Sequence, residues 1–128
     1  MNVVLISTYE LGHQPFGLAS PASWLKAAGA GVTCVDLAVR SFADAKSAIQ
    51  QAGLIAFYLP MHTATRLAVT VIQRIQRIHT QTHLCAYGLY APINEMYLRG
   101  LGVQTILGGE FEQGLVNLYN CLVGGRPI

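Results

Sequence analysis

Charge is what this chain most lacks. Only 11% of its 128 residues are charged, under half the usual share of a globular protein. The balance is a net +2, which gives no electrostatic case for a nucleic-acid partner, and none is expected. Long hydrophobic runs are missing as well. The longest candidate, Leu54 to Met61, is broken by Pro60 and falls far short of the roughly 20 apolar residues of a spanning helix, so no membrane segment is expected. Met1-Asn2 leads straight into a strand-like run, with no basic segment or small-residue cleavage site. No export signal is read, and a cytoplasmic location is the expectation. Cys34, Cys85 and Cys121 are too few and too scattered for a disulfide framework or a metal cluster. Cys34 and Cys85 sit inside apolar runs, which predicts buried, inert thiols.

Several catalytic signatures are absent too. There is no Gly-x-x-x-x-Gly-Lys-Ser/Thr phosphate loop, no Gly-x-Ser-x-Gly elbow and no Cys-x-x-Cys pair. A dinucleotide fingerprint fails because Gly12 and Gly17 lie five apart, without the required spacing.

What is present is apolar: hydrophobic residues make up 52% of the chain. A chain this long buries roughly 68% of its unfolded surface, enough for one self-sufficient core. The surplus predicts an unusually apolar surface, open to a ligand, a partner or a second copy of the chain.

Short apolar runs alternate with amphipathic stretches, the pattern of strands joined by crossover helices. The strand candidates are Val3 to Ser7, Val32 to Leu37, Leu54 to Leu59, His83 to Tyr87 and Val103 to Leu107. Several are apolar nearly throughout, so they are buried on both faces and the sheet is parallel. Helices are expected at Pro21 to Ala30, Phe42 to Ala52, Thr65 to His79, Pro92 to Gly100 and Phe111 to Leu122. Ser20 can cap the first, with Pro21 at its first position. The third carries Leu67, Val71, Ile72, Ile75 and Ile78 on one stripe, read as core. Arg66, Arg74 and Arg77 share the other side with Thr70 and Gln73, read as a solvated face.

Right-handed crossovers then give a single flavodoxin-like, Rossmann-like α/β domain, doubly wound, whose five-stranded parallel sheet has the order 2-1-3-4-5. Ligands of such sheets bind beyond the carboxyl ends of the strands, where the order reverses. The segment after the first strand, Thr8 to Ser20, runs thirteen residues, against about 2–6 for ordinary connections of this kind. It holds Tyr9, Glu10, Gly12, His13, Gln14, Pro15, Phe16 and Gly17. Two readings stay open, a ligand loop and a loop packed over the sheet edge; the first is the expectation, since glycines admit close approach and aromatics offer flat apolar contact. Pro60-Met61-His62-Thr63 follows the third strand, with Thr63 or Thr65 able to cap the next helix. Gly88-Leu89-Tyr90 follows the fourth, and Gly108-Gly109-Glu110-Phe111-Glu112 the fifth. Glu110 and Glu112 suit a helix start by the macrodipole alone. A receiver domain would need carboxylates where Ser7, Thr8 and Leu59 stand, so that reading is set aside. His79 and His83 have zinc spacing only if helical, and Thr80-Gln81-Thr82 reads as a turn.

The order of segments, the loop Glu10 to Gly17, the Pro60-Met61-His62-Thr63 turn and the run Ile106 to Leu115 together resemble the cobalamin-binding domains at the N-terminus of many radical S-adenosylmethionine enzymes. The resemblance covers nearly the whole chain. It implies a cobalamin lying flat over the strand ends, its nucleotide tail inserted between the first helix and the sheet. The residues it assigns to the cofactor are Tyr9, Leu11, Gly12, His13, Gln14, Phe16, Gly17, Pro60, Met61, His62, Thr63, Gly88, Leu89, Tyr90, Gly108, Gly109, Glu110 and Phe111. The Asp-x-His-x-x-Gly motif of the methionine-synthase kind is altered: Leu11 stands two places before His13, and Gly17 four places after it. For the lower cobalt ligand, His13, His62 and no protein ligand all stay open. So does a degenerate domain without cofactor, acting as a scaffold or regulatory module.

The run Leu122 to Ile128 reads as the exit from a last helix. The expected division is a cobalamin-binding-like domain over 1–123 and the start of a linker over 124–128, leading to a C-terminal radical domain. No Cys-x-x-x-Cys-x-x-Cys motif is present, so the iron-sulfur cluster, S-adenosylmethionine and any catalysis would belong to that domain, with this chain as its cofactor module.

Overall fold

In the computed structural model the described residues are 1–9, 16–79 and 81–125. Five strands, β1 (Asn2–Ser7), β2 (Gly31–Asp36), β3 (Leu54–Tyr58), β4 (His83–Tyr87) and β5 (Thr105–Leu107), alternate with five helices. These are α1 (Phe16–Ala27), α2 (Phe42–Gln51), α3 (His62–Ile78), α4 (Glu95–Gly100, entered through a 3₁₀ turn at Pro92–Asn94) and α5 (Glu112–Gly124). The strands are all parallel, in the order β2-β1-β3-β4-β5. One row crosses the whole sheet, pairing Cys34, Leu5, Ala56, Cys85 and Thr105 in turn. The expected flavodoxin-like architecture and strand order are therefore found.

Period-two alternation along the central strands divides the core. Val4, Ile6, Ile55, Phe57 and Leu84 face Ala45 and Ile49 of α2, Ala68, Ile72 and Ile75 of α3, and Leu98 of α4. Val3, Leu5, Leu54, Ala56 and Cys85 face Leu18, Ala22 and Leu25 of α1 and Leu115 and Leu118 of α5. With Ile72 fully buried, its truncation to Ala would cost about 2–5 kcal/mol. Among the described residues no helix is long and apolar enough to cross a membrane.

Four local expectations are corrected. Helix α1 begins at Phe16, five residues before Pro21, so Pro21 lies inside the helix and Ser20 is not its cap. The segment between β1 and α1 shortens to 8–15. At its other end α1 closes on Gly29 (φ +100°), with the Ala30 amide donating to the Leu25 carbonyl as in a Schellman turn. Helix α3 begins at His62 rather than Thr65; neither threonine caps it, and the Thr65 hydroxyl turns back to donate to the Met61 carbonyl at 3.1 Å. The α3 stripe is also rotated: Ile72 and Ile75 are buried beside Ala64 and Ala68, whereas Leu67 is 47% exposed. Alanines let the helix approach the sheet closely, which leaves the bulkier Leu67 at the margin. Finally, Cys34 is exposed, because β2 is an edge strand and only Val35 of its residues is buried.

Candidate functional site

The carboxyl ends of β1, β3, β4 and β5 meet at one end of the sheet, and those of the expected site residues that are described lie there. Tyr9, Gly17, Pro60, Met61, His62, Thr63, Gly88, Leu89, Tyr90, Gly108, Gly109, Glu110 and Phe111 all belong to the segments leaving those strand ends or to the helix starts beside them. Phe16 is the first residue of α1. Leu11, Gly12, His13 and Gln14 lie outside the described residues.

The rim is held by backbone bonds. The Leu59 amide donates to the Tyr87 carbonyl at 2.8 Å, the Tyr90 amide to the Leu59 carbonyl at 3.0 Å, and the Gly88 amide to the Gly108 carbonyl at 3.3 Å. Gly88 has φ +109°, and a Cβ there would sit 3.0 Å from the Leu59 carbonyl oxygen. Only glycine lets the β4 segment pass that close to the β3 segment. On the first segment, the buried Thr8 hydroxyl donates to the Ala64 carbonyl at 2.7 Å and ties β1 to the start of α3.

Between β1 and β3, where the strand order reverses, stands Ser7. Its side chain is wholly buried, and its Oγ has no hydrogen-bond partner among the described residues. A buried hydroxyl left unpaired costs about 1–3 kcal/mol, so its position is informative. Ser7 ends β1, Thr8 follows it and Leu59 follows β3; all three are buried and none is acidic.

On the α1 side of the sheet, three aromatic rings fill this end of the molecule. Ring centroids of Tyr87 and Phe111 are 4.7 Å apart, those of Tyr58 and Tyr87 5.5 Å, and those of Tyr58 and Phe111 5.9 Å. Gly17 lies against the Tyr58 ring so closely that an added Cβ would overlap it. The Tyr87 hydroxyl donates to the Gly17 carbonyl at 2.5 Å. Burial, reinforced by Cys85, Cys34, Tyr58 and Glu112, pushes the Tyr87 phenol well above its ordinary value, so it stays a donor. The Ser20 hydroxyl donates to Glu112 at 2.9 Å and joins α1 to α5. Space between the first helix and the sheet, where the resemblance would put a nucleotide tail, is thus occupied by the chain's own rings at this end.

His62 is exposed at the start of α3 and borders a groove of about 270 Å³ shared with Arg66, Asn94 and Tyr97. No group of three or more His, Cys, Asp or Glu that could hold a metal occurs among the described residues. His79 closes α3 and His83 opens β4, so the pair is not on one helix. The first donates from Nε2 to the Ala52 carbonyl at 2.8 Å, so His79 Nε2 carries the proton. His83 Nε2 lies 2.7 Å from the Thr105 hydroxyl. Both border a hollow of about 730 Å³ at the amino end of the sheet, away from the expected site.

One surface was not read from the sequence. Arg74, assigned to a solvated face, places its guanidinium 4.0 Å over the Phe42 ring. Arg40, Phe42, Leu67, Val71 and Arg74 border a hollow of about 380 Å³ between the start of α2 and α3, next to Thr8. The available signal was Ser41-Phe42, a capping serine followed at once by an aromatic residue at the start of α2.

No family model matches this chain, and no curated protein sequence matches it. Among solved structures, the RcsB response regulator of Salmonella typhimurium superposes on all of the chain with a TM-score of 0.71 at 16% identity. The chain spans 64% of that protein's length. A flavodoxin-like domain from Synechococcus sp. matches 96% of this chain and 98% of its own, with a TM-score of 0.61 at 15% identity. At such identities the likeness is one of fold.

Proposed function

We propose that this domain is the cobalamin-holding module of a radical S-adenosylmethionine enzyme, with the corrinoid placed over the carboxyl ends of β1, β3, β4 and β5. The observation that carries the reading is that the described motif segments leave the strand ends beside the buried Ser7 hydroxyl, which has no hydrogen-bond partner among the described residues, at the reversal point of the sheet. That is where a ligand of this fold belongs. Gly88, Gly108 and Gly109 keep the rim low enough for a broad flat ligand, while Tyr9, Met61 and Leu89 supply apolar contact. Neutral donors and apolar edges suit a large, mostly apolar macrocycle better than they suit a phosphate. His62, exposed beside this rim, and His13 are the candidate lower ligands. A corrinoid held there supplies a methyl group or a change of redox state to a neighbouring domain, which would itself carry the iron-sulfur cluster and S-adenosylmethionine. This chain's own share is to bind and orient.

A second reading rests on the ring stack of Tyr58, Tyr87 and Phe111. Among the described residues those rings take up space at the end of the sheet beside α1, which favours a domain of the same descent that works without cofactor as a scaffold or interaction module.

Anaerobic titration with hydroxocobalamin, desalting and an absorbance spectrum separate the two. Stoichiometric retained corrinoid is expected, with a spectral change confined to His13→Ala or His62→Ala naming the lower ligand. Colour that washes off the unaltered protein would sink the first reading and leave the second.

A further inference from the structure

We propose that the groove between α2 and α3 is a docking surface for an acidic, amphipathic helix of a partner protein. The proposal does not depend on what the strand ends hold.

Two hollows lie in line along this face, about 380 Å³ and about 340 Å³, sharing Phe42 and Arg74 as the ridge between them. From Leu67 in the first to Ile78 in the second, α3 advances by about 17 Å at 1.5 Å per residue. Such a length exceeds a small ligand and equals about three turns of helix. The floor is apolar: Leu37, Phe42, Leu67, Val71 and Ile78 border the hollows, and Leu67 is 47% exposed. An amphipathic helix laid in a groove needs such a floor for residues at i, i+3 or i+4, and i+7.

Its margins carry one sign of charge. Arg40 and Arg74 border the first hollow, and Lys46, Arg74 and Arg77 the second. Among the described residues, no carboxylate borders either one. The nearby acids are otherwise placed: Asp36 Oδ1 accepts from the Ala38 amide, and Asp44 is exposed in the first turn of α2. In a chain so poor in charge, four cations around an apolar floor give strong complementarity to a helix with Glu or Asp along its flanks. Arg74, stacked on Phe42, is pre-ordered for that contact and loses little freedom when a carboxylate arrives.

The test uses the whole chain, isotope-labelled, and a fluorescent three-turn peptide of leucine at helical spacing among glutamates. Binding in the micromolar range is expected, with shift changes confined to α2, α3 and the segment before α2. Arg74→Glu with Arg77→Glu should weaken it by roughly tenfold or more, Leu67→Asp likewise, and Arg99→Glu not at all. Each variant's circular dichroism verifies folding, and all three replaced positions of the groove are exposed or at its margin. Absence of binding, shift changes elsewhere, or equal binding by a scrambled peptide of the same composition would overturn the proposal. So would full displacement of the peptide by inorganic phosphate, which would mark a site for small anions only.

Discussion

The hydroxyl of Tyr87 donates to the carbonyl of Gly17, the one carbonyl of α1 that Pro21 deprives of its helical donor. In an α-helix the Gly17 carbonyl would accept from residue 21, and proline has no N–H to give. A side chain from the last position of β4 therefore does the work of a missing backbone bond. This pairing satisfies the carbonyl left open where α1, starting at Phe16, runs through Pro21.

Removing that donor should cost stability. Tyr87→Phe leaves a buried carbonyl without a partner, an expected loss of about 1–3 kcal/mol. Pro21→Ala supplies an N–H that can reach Gly17 from within the helix. Urea unfolding of the two single variants and the double should show the double losing less than the sum; strict additivity would mean that the two positions do not share one acceptor.

Gly17 is the second point of close fit. Replacing a helical glycine by alanine stabilises by up to about 1 kcal/mol, and by less in a first turn such as that of Gly17. Here the added carbon would overlap the Tyr58 ring, which Tyr87 and Phe111 hold from the other side. Gly17→Ala should therefore destabilise, by about 1–3 kcal/mol as overpacking does. Combining it with Tyr58→Ala should relieve the overlap, and a melting temperature for the double variant above that of Tyr58→Ala alone would display the helix gain that the ring conceals.

These contacts mark the boundary of what was legible. The sheet was readable because Val3 to Ile6 and Leu54 to Phe57 are short runs apolar at every position, a pattern that fits a parallel strand covered on both faces. Helix α2 was readable because Ser41 caps it locally, its hydroxyl accepting from the Asp44 amide at 3.2 Å. Helix α1 was misplaced because its local signals, Ser20 and Pro21, are overruled by Tyr87, seventy residues away from Gly17 in sequence. Strand-end segments of the site could be named from glycines and order alone. What fills the space beneath them could not, since Tyr58 and Tyr87 read as ordinary strand aromatics until the pairing of β3 with β4 sets them side by side. The groove over Phe42 was lost for a similar reason: a helical wheel of α3 shows Arg74 facing away from the core but says nothing of the ring it covers.

His83 should make stability depend on pH near neutrality. Partial burial lowers its pKa below the ordinary 6.5, so the unfolded chain binds a proton more readily than the folded one. Stability is then fullest above about pH 6.5 and falls as the pH drops toward the folded value. Urea midpoints measured across that range should decline for the unaltered chain and decline less for His83→Gln, whose amide can still meet the Thr105 hydroxyl. Parallel curves for the two proteins would remove His83 from the account.

The three thiols should separate by reactivity. Cys85 is fully buried, and burial pushes its thiol far above the ordinary range, so it should resist a disulfide reagent until the chain unfolds. Cys121 is partly covered on α5 and should react slowly. Cys34 is exposed on the edge strand and should react first, though not as a fully activated thiolate. Its surroundings raise its pKa by desolvation, against a lowering pull from Lys26. Since the thiolate is the attacking form, its rate should climb steadily through mildly alkaline pH. Lys26→Glu removes the opposing charge and adds a like one, which moves the same profile to higher pH while leaving Cys85 protected. A Lys26 variant with an unmoved profile would show that desolvation alone sets this thiol, and fast labelling of Cys85 in the folded chain would contradict the packing of α1 and α5 over β4.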